Sequence, residues 1–258
     1  MGHINTISIE KYIYFESIDS TNTYLSNYLS KNNPQDNICV YTYNQTNGKG
    51  QIGRNWFNDE GKNLALSYAF HFQNLDVQHQ FYLNMAISLG LHQFVSSIIN
   101  NGRVSIKWPN DIYINDKKVA GILIQNQLKG RLIGSSIIGI GLNINQESFP
   151  QNLPNPISLK QHTQKTYNKA ELVQRLEKNI LSFLNILSIN SKAIFTDYIK
   201  HLYRINEKHS FINTHSNESF YGIIKGVSAE GKLLVDISGE LEAFNFRTIK
   251  FVINNINY

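Results

Sequence analysis

The sequence holds a single cysteine, Cys39, and that scarcity removes two classes of protein at once. No intramolecular disulfide can form, and no zinc site built on cysteines can exist. The eight histidines never fall at HxH or HxxxH spacing, which argues against a histidine-rich metal site. No apolar run approaches the ~20 residues needed to span a bilayer. The opening MGHINTISIEKYIYF also lacks a charged-then-apolar leader. Charged residues make up only 17% of the chain, too few for long disorder. The net charge is +5, yet no run of basic residues exceeds two, so no concentrated basic stripe exists. These absences leave a reduced, cytoplasmic enzyme with no membrane segment as the expectation.

What is present is enough apolar and aromatic material, in 258 residues, for one large domain plus a small one. Residues 11–15, KYIYF, and 37–43, NICVYTY, read as strands, and so does 63–72, NLALSYAFHF. Between the first two, Asp19, Ser20 and Thr21 offer helix N-caps ahead of Tyr24, Leu25, Tyr28 and Leu29, with Pro34 past the end. Leu83, Ile87, Leu91, Phe94, Val95 and Ile98 predict the longest helix, over 76–101. RVSIKW, DIYIN, KVAGILIQNQL and RLIGSSIIGIGLNI then form a second strand group, with turns at 115–118 and 128–131. Helices follow over 168–187 and 191–204. From about 208, SFYGIIKGV, GKLLVDI, ELEAFNF and TIKFVI suggest a small β-barrel of about fifty residues. The fold class is α+β, with a mixed sheet and packed helices over 1–207 and the barrel over 208–258.

Three stretches carry chemistry. In NQTNGKGQIGRNWF, residues 44–57, Gly48, Gly50 and Gly53 let the backbone approach a ligand and turn N–H groups toward an anion, while Lys49 and Arg54 add charge. No GK[ST] follows, so this is not a P-loop, and a strand rather than a helix comes next, so it is not a dinucleotide fingerprint. In KWPNDIYINDKKVAGI, residues 107–122, a proline between tryptophan and Asn-Asp holds two short polar side chains at a strand end. In GIGLNIN, residues 139–145, a strand ends in glycines beside Asn143. Each alone is compatible with an ordinary surface loop or charged hairpin.

In this order the three resemble the biotin protein ligases, whose signature runs GRGRRGRxW, then KWPNDxY…KxAGI, then GxGxN. The likeness covers essentially the whole chain and implies a catalytic domain similar to the class II synthetases, followed by an SH3-like barrel. It also implies two steps: biotin and ATP, with Mg2+, give biotinyl-5'-adenylate, and a lysine of a biotin carboxyl carrier protein then takes the biotinyl group. By resemblance, Lys118 is the central catalytic cation, assisted by Asp111 and Arg54. Ser20, Thr21, Asn22 and Gln45 contact the biotin ring, and Lys49, Gly50, Gln51, Lys118 and Gly121 complete the biotin site. Lys49, Arg54, Trp56, Asn110 and Asn143 fall on the ATP or adenylate side. Asp111 either holds a metal or orients a lysine, and the sequence does not choose. This chain departs from the pattern at Lys49, Gln51 and Ile52, where the family has arginines. Lys49 loses the bidentate fork, and Gln51 loses the charge altogether.

Ser20 lies too near the start for a preceding winged helix, so specific DNA binding is not expected. Lipoate or octanoyl transferases of related fold use an RRxxGGGxVYH-type loop, which this chain lacks. A non-catalytic biotin-binding module would not need the lysine and the loop together. The edge near KVAGILIQNQL either pairs two protomers as a homodimer or is internal.

Overall fold

The protein is described here by a computed structural model covering residues 6–51 and 53–253; Ile52 lies outside the described residues. A seven-stranded sheet organises the chain, in the order β1-β2-β5-β9-β8-β7-β6. Its strands are β1 (Lys11–Phe15), β2 (Ile38–Thr42), β5 (Leu64–Asp76), β6 (Val104–Lys107), β7 (Asp111–Ile114), β8 (Lys117–Lys129) and β9 (Leu132–Leu142). β1 and β2 run parallel, and every other neighbouring pair is antiparallel. A small hairpin, β3 (Gly48–Lys49) with β4 (Asn55–Trp56), stands apart from this sheet.

The two faces of the sheet carry side chains of different size, and this asymmetry creates the site. On β5, Leu64, Leu66, Tyr68 and Phe70 pack into the main core, whereas Ala65, Ser67 and Ala69 alternate with them on the other face. On β9, Ile138, Ile140 and Leu142 join the same core, and Gly139 and Gly141 take the opposite face. The large face is covered by α2 (Gln80–Ser96), α4 (Lys169–Ile189) and α5 (Ser191–Lys200), which pack on one another. The small face is only partly covered, by α1 (Thr21–Asn32), through a second cluster of Leu25, Ile38, Val40, Ala69 and Ile137. Helix α1 begins where expected: the Ser20 side chain accepts from the Thr23 N–H, and Asn33 ends the helix in a left-handed turn before Pro34. A short helix, α3 (Leu159–Thr163), follows the 150–157 loop and opens on a capping box at Ser158.

The helix expected over 76–101 is shorter than its apolar pattern. β5 continues to Asp76, paired there with Leu132, and the Asp76 carboxylate caps a single 3-10 turn before α2 starts at Gln80. The helix expected over 191–204 stops at Lys200, because Leu202 bridges to Ile106 and Arg204 adopts a left-handed conformation. The C-terminal sheet contains a strand that alternation does not reveal, β10 (Lys208–Asn213, KHSFIN). It pairs on both sides, with β11 (Ser219–Val227) and β14 (Ile249–Phe251). With β12 (Leu233–Ile237) and β13 (Glu240–Phe244) the result is a five-stranded antiparallel sheet, compatible with an SH3-like domain. Strand β8 has partners on both β7 and β9 at Ala120 and Gly121, but from Leu123 onward its register partners lie on β9 alone. No described helix is long and apolar enough to cross a membrane.

One buried group makes stability depend on pH. His92 of α2 is 6% exposed; its Nε2 lies 3.2 Å from the Val104 carbonyl and its ring 4.1 Å from that of His201. Burial pushes its pKa down to about 4, the neighbouring His201 adds to the depression, and the Val104 carbonyl opposes it. The folded protein therefore holds a neutral imidazole that the unfolded chain protonates near its ordinary value of 6.5. Stability should fall as pH drops from about 6.5 to 4, by at most about 3 kcal/mol from this group. Urea midpoints of the wild type and His92→Gln at pH 7.5, 5.5 and 4.5 test this. The wild type should lose more over that range, and equal slopes would remove His92 as the cause.

Candidate active site

The small face of the sheet becomes a cavity where α1 begins and the β3–β4 hairpin folds over it. Its empty space is about 470 Å³ counted to the open mouth. At one end the lining is neutral and polar. The Thr21 N–H and hydroxyl both donate to Gln45 Oε1, at 2.9 and 3.2 Å. Ser67 Oγ donates to Asn22 Oδ1 at 2.5 Å and lies 2.7 Å from the Thr21 hydroxyl, while Asn22 Nδ2 donates to Gln125 Oε1 at 3.3 Å. With Gln45 Oε1 and Asn22 Oδ1 occupied as acceptors, the Gln45 amide N–H groups and the Ser20 hydroxyl hydrogen remain to donate to a ligand.

At the other end the lining is charged. The WPND turn between β6 and β7 contains a cis Trp108–Pro109 bond, and its Pro109 carbonyl accepts from Asn84 Nδ2 at 2.6 Å and from the Tyr198 hydroxyl at 3.2 Å. Trp108 turns away from the cavity and donates its Nε1–H to the Gly231 carbonyl of the C-terminal sheet at 2.9 Å. The turn is thus fixed from three sides. Asn110 is buried and donates to the Ile122 carbonyl, and Asp111 receives the Lys118 ammonium at 2.7 Å. Lys118 is itself set by backbone bonds to the 150–157 loop: its N–H donates to Asn155 O at 2.7 Å and its carbonyl accepts from Ile157 N at 2.9 Å. Trp56 lies between the two ends. Its indole rests against Gly141, where a Cβ would sit 2.3 Å from Trp56 Cε2, and Lys118 Nζ is 5.4 Å from its ring centroid.

Of the residues singled out from sequence, Ser20, Thr21, Asn22, Gln45, Lys49, Gly50, Trp56, Asn110, Asp111, Lys118 and Gly121 line this one cavity. Three others are not brought to it. Asn143 is buried behind the sheet end, where its amide donates to the Ile157 carbonyl at 3.1 Å and ties down the loop that positions Lys118. Gln51 and Arg54 belong to the turn of the β3–β4 hairpin: the Arg54 N–H donates to Gln51 O, and Arg54 is exposed. The expectation of loop amides turned toward an anion is not met at Gly50, whose N–H donates to Arg54 O at 2.8 Å. The cationic contribution of this loop to the lining is the Lys49 side chain. Sequence reasoning passed over Ser67 and Gln125; the signal for Ser67 was the alternation of small with large residues along β5, whereas Gln125, on β8, had none.

A family model described as the biotin/lipoate A/B protein ligase family matches residues 14–143, just over half the chain. The chain belongs to that family. Among curated relatives of this ligase family it is 27% identical to "Bifunctional ligase/repressor BirA" of Bacillus spizizenii, over 90% of this chain and 72% of that protein. It is 24% identical to the biotin--[acetyl-CoA-carboxylase] ligase of Mycobacterium tuberculosis, over 79% of this chain and 75% of that one. Among solved structures, the biotin protein ligase of Aquifex aeolicus in complex with biotin and ATP superposes with a TM-score of 0.75 at 22% identity, over 95% of this chain and all of that one. Ligases acting on biotin thus recur among both the relatives and the structural neighbours.

Proposed function

We propose that the protein is a biotin protein ligase, which activates biotin with ATP to biotinyl-5'-adenylate and transfers the biotinyl group to a lysine of a biotin carboxyl carrier protein. The observation that carries this is the polarity of one continuous cavity, neutral amide and hydroxyl groups at one end and Lys118 with Asp111 at the other. A ligand with a uredo-type head and an acidic tail matches both ends. Ser20, Thr21, Asn22 and Gln45 hold the head, with Ser67 fixing Asn22 from behind, and Lys118 draws the carboxylate toward the α-phosphate. Two anions must meet for the carboxylate oxygen to bond to phosphorus, and a fixed ammonium offsets their repulsion without reorganising solvent. Trp56, on its glycine floor, offers an apolar face to the nucleotide. Asp111 is the one carboxylate among the lining residues, and it orients Lys118. That donor set fits a magnesium ion carried in by the phosphates, since Mg2+ ordinarily takes one or two carboxylates beside phosphate oxygens. When bound, the ion would neutralise phosphate charge. In the second step the same cavity would shield the mixed anhydride from water until the carrier lysine attacks. On this reading, residues 1–207 form the catalytic unit and residues 208–258 a second one.

Biotin-dependent exchange of labelled pyrophosphate into ATP tests the reading. Exchange should appear with biotin and magnesium and be absent with lipoate or octanoate. Exchange with lipoate alone would transfer the protein to the lipoate side of its family.

A further inference from the structure

We propose that Lys107 is a second catalytic cation, which takes the β- and γ-phosphates of the nucleotide and holds them as pyrophosphate departs. The proposal rests on the adenylate-forming reading above and extends it to a residue outside the cavity lining. Lys107 stands in register opposite Asp111, and Tyr113 in register opposite Lys118, so Lys107, Asp111, Tyr113 and Lys118 share one face of the sheet. The strand order turns this into an axis: Lys118 on β8, Asp111 on β7, Lys107 on the edge strand β6. Two strand spacings amount to roughly 10 Å, the scale of a phosphate chain rather than of a single ion.

The charges along this axis do not balance. Lys118 is paired with Asp111, and Arg204 is paired with Asp116 at 3.5 Å and bonded to the Val252 carbonyl. Lys107 takes part in none of the ion pairs formed among the described residues. Its ammonium instead lies 4.6 Å from the ring centroid of Phe251 and 5.6 Å from that of Tyr113. Burial holds its pKa below the ordinary lysine value; Asp111 pulls it up, and Lys118, Arg54 and Arg204 push it further down. An ammonium set against two rings, whose register partner Asp111 is already taken by Lys118, is costly unless something else supplies negative charge. The adenylating step supplies it. The biotin carboxylate oxygen bonds to the α-phosphorus, the bond from that phosphorus to the bridging oxygen breaks, and the electron pair leaves on pyrophosphate. Lys118 faces the bond that forms, and Lys107 faces the group that departs. Both rings that hold the Lys107 amine also restrict it, so its position is set before the nucleotide arrives.

Lys107→Met keeps the apolar stem against Phe251 and removes the charge, and Lys107→Arg keeps the charge. Calorimetry with magnesium pyrophosphate should show binding at least about tenfold weaker in Lys107→Met and near wild-type binding in Lys107→Arg. Adenylate synthesis by Lys107→Met should fall about 100-fold, whereas transfer from preformed biotinyl-adenylate, in which pyrophosphate takes no part, should fall far less. Unchanged pyrophosphate affinity in Lys107→Met would overturn the proposal. An equal fall in both half-reactions would also overturn it, because a merely structural role acts on both. Pyrophosphate held through Lys107 by a wild-type chain that activates no biotin would strike the ligase reading and keep the anion site.

Discussion

Replacing Lys118 with alanine is expected to slow adenylate synthesis about 1000-fold while leaving the fold intact. The ammonium lies 2.7 Å from Asp111 and 31% of the side chain is exposed, so it is reachable by a ligand and not a core element. Two effects add in the variant. The cation beside the converging carboxylate and phosphate is lost, and Asp111 loses its ion-pair partner in a site that must admit a polyanion. Removing both charges together, in Lys118→Ala with Asp111→Asn, should recover part of the nucleotide affinity but little of the rate. Biotin-dependent pyrophosphate exchange measures the loss, with the thermal midpoint as the control for folding. A Lys118→Ala rate within tenfold of the wild type would take the central role away from this residue.

Gly139→Ala is expected to weaken biotin binding about 100-fold, with a much smaller effect on the nucleotide. A Cβ at this position would sit 2.1 Å from Asn22 Oδ1, which no packing adjustment of tenths of an ångström can absorb. Asn22 cannot simply rotate aside, since Ser67 holds its carbonyl oxygen and Gln125 its amide nitrogen. Its displacement therefore undoes the chain of hydrogen bonds that fixes Thr21 and Gln45 as well. Gly134→Ala on the same strand provides the control, because the nearest atom to its Cβ would be 3.4 Å away and belongs to a lysine side chain. Calorimetric titration of biotin into both variants separates them. Equal affinities in the two would show that the ring end of the ligand lies elsewhere.

What the sequence made legible was set by local rules. The Ser20 cap, the Pro34 stop and the strands at β5 and β9 each depend on residues a few positions apart. Asn143 shows where local reading ends. A polar residue after a strand serves a ligand or ties a loop, and here the tie is to Ile157, fourteen residues on, whose position nothing nearby announces. Arg54 is similar: the register of Lys49 with Asn55 places it on the turn of a hairpin, outside the lining. Strand β10 was hidden because it earns its place through main-chain bonds on both edges rather than through alternating side chains. The motif order located the cavity nonetheless, since the residues that line it sit on separate strands brought together by one sheet.

The glycine floor of Gly121, Gly139 and Gly141 has a further consequence. A recess shaped by main chain has no rotamers to freeze when a guest enters, so occupying it forfeits little side-chain entropy there. Its contour follows from the β8–β9 ladder, in which Gly121 faces Gly141 and Leu123 faces Gly139. Only a slip of that ladder would reshape it. The mould's depth is cast in hydrogen-bonded backbone, and the side chains that rest on it, Asn22 and Trp56, finish its outline.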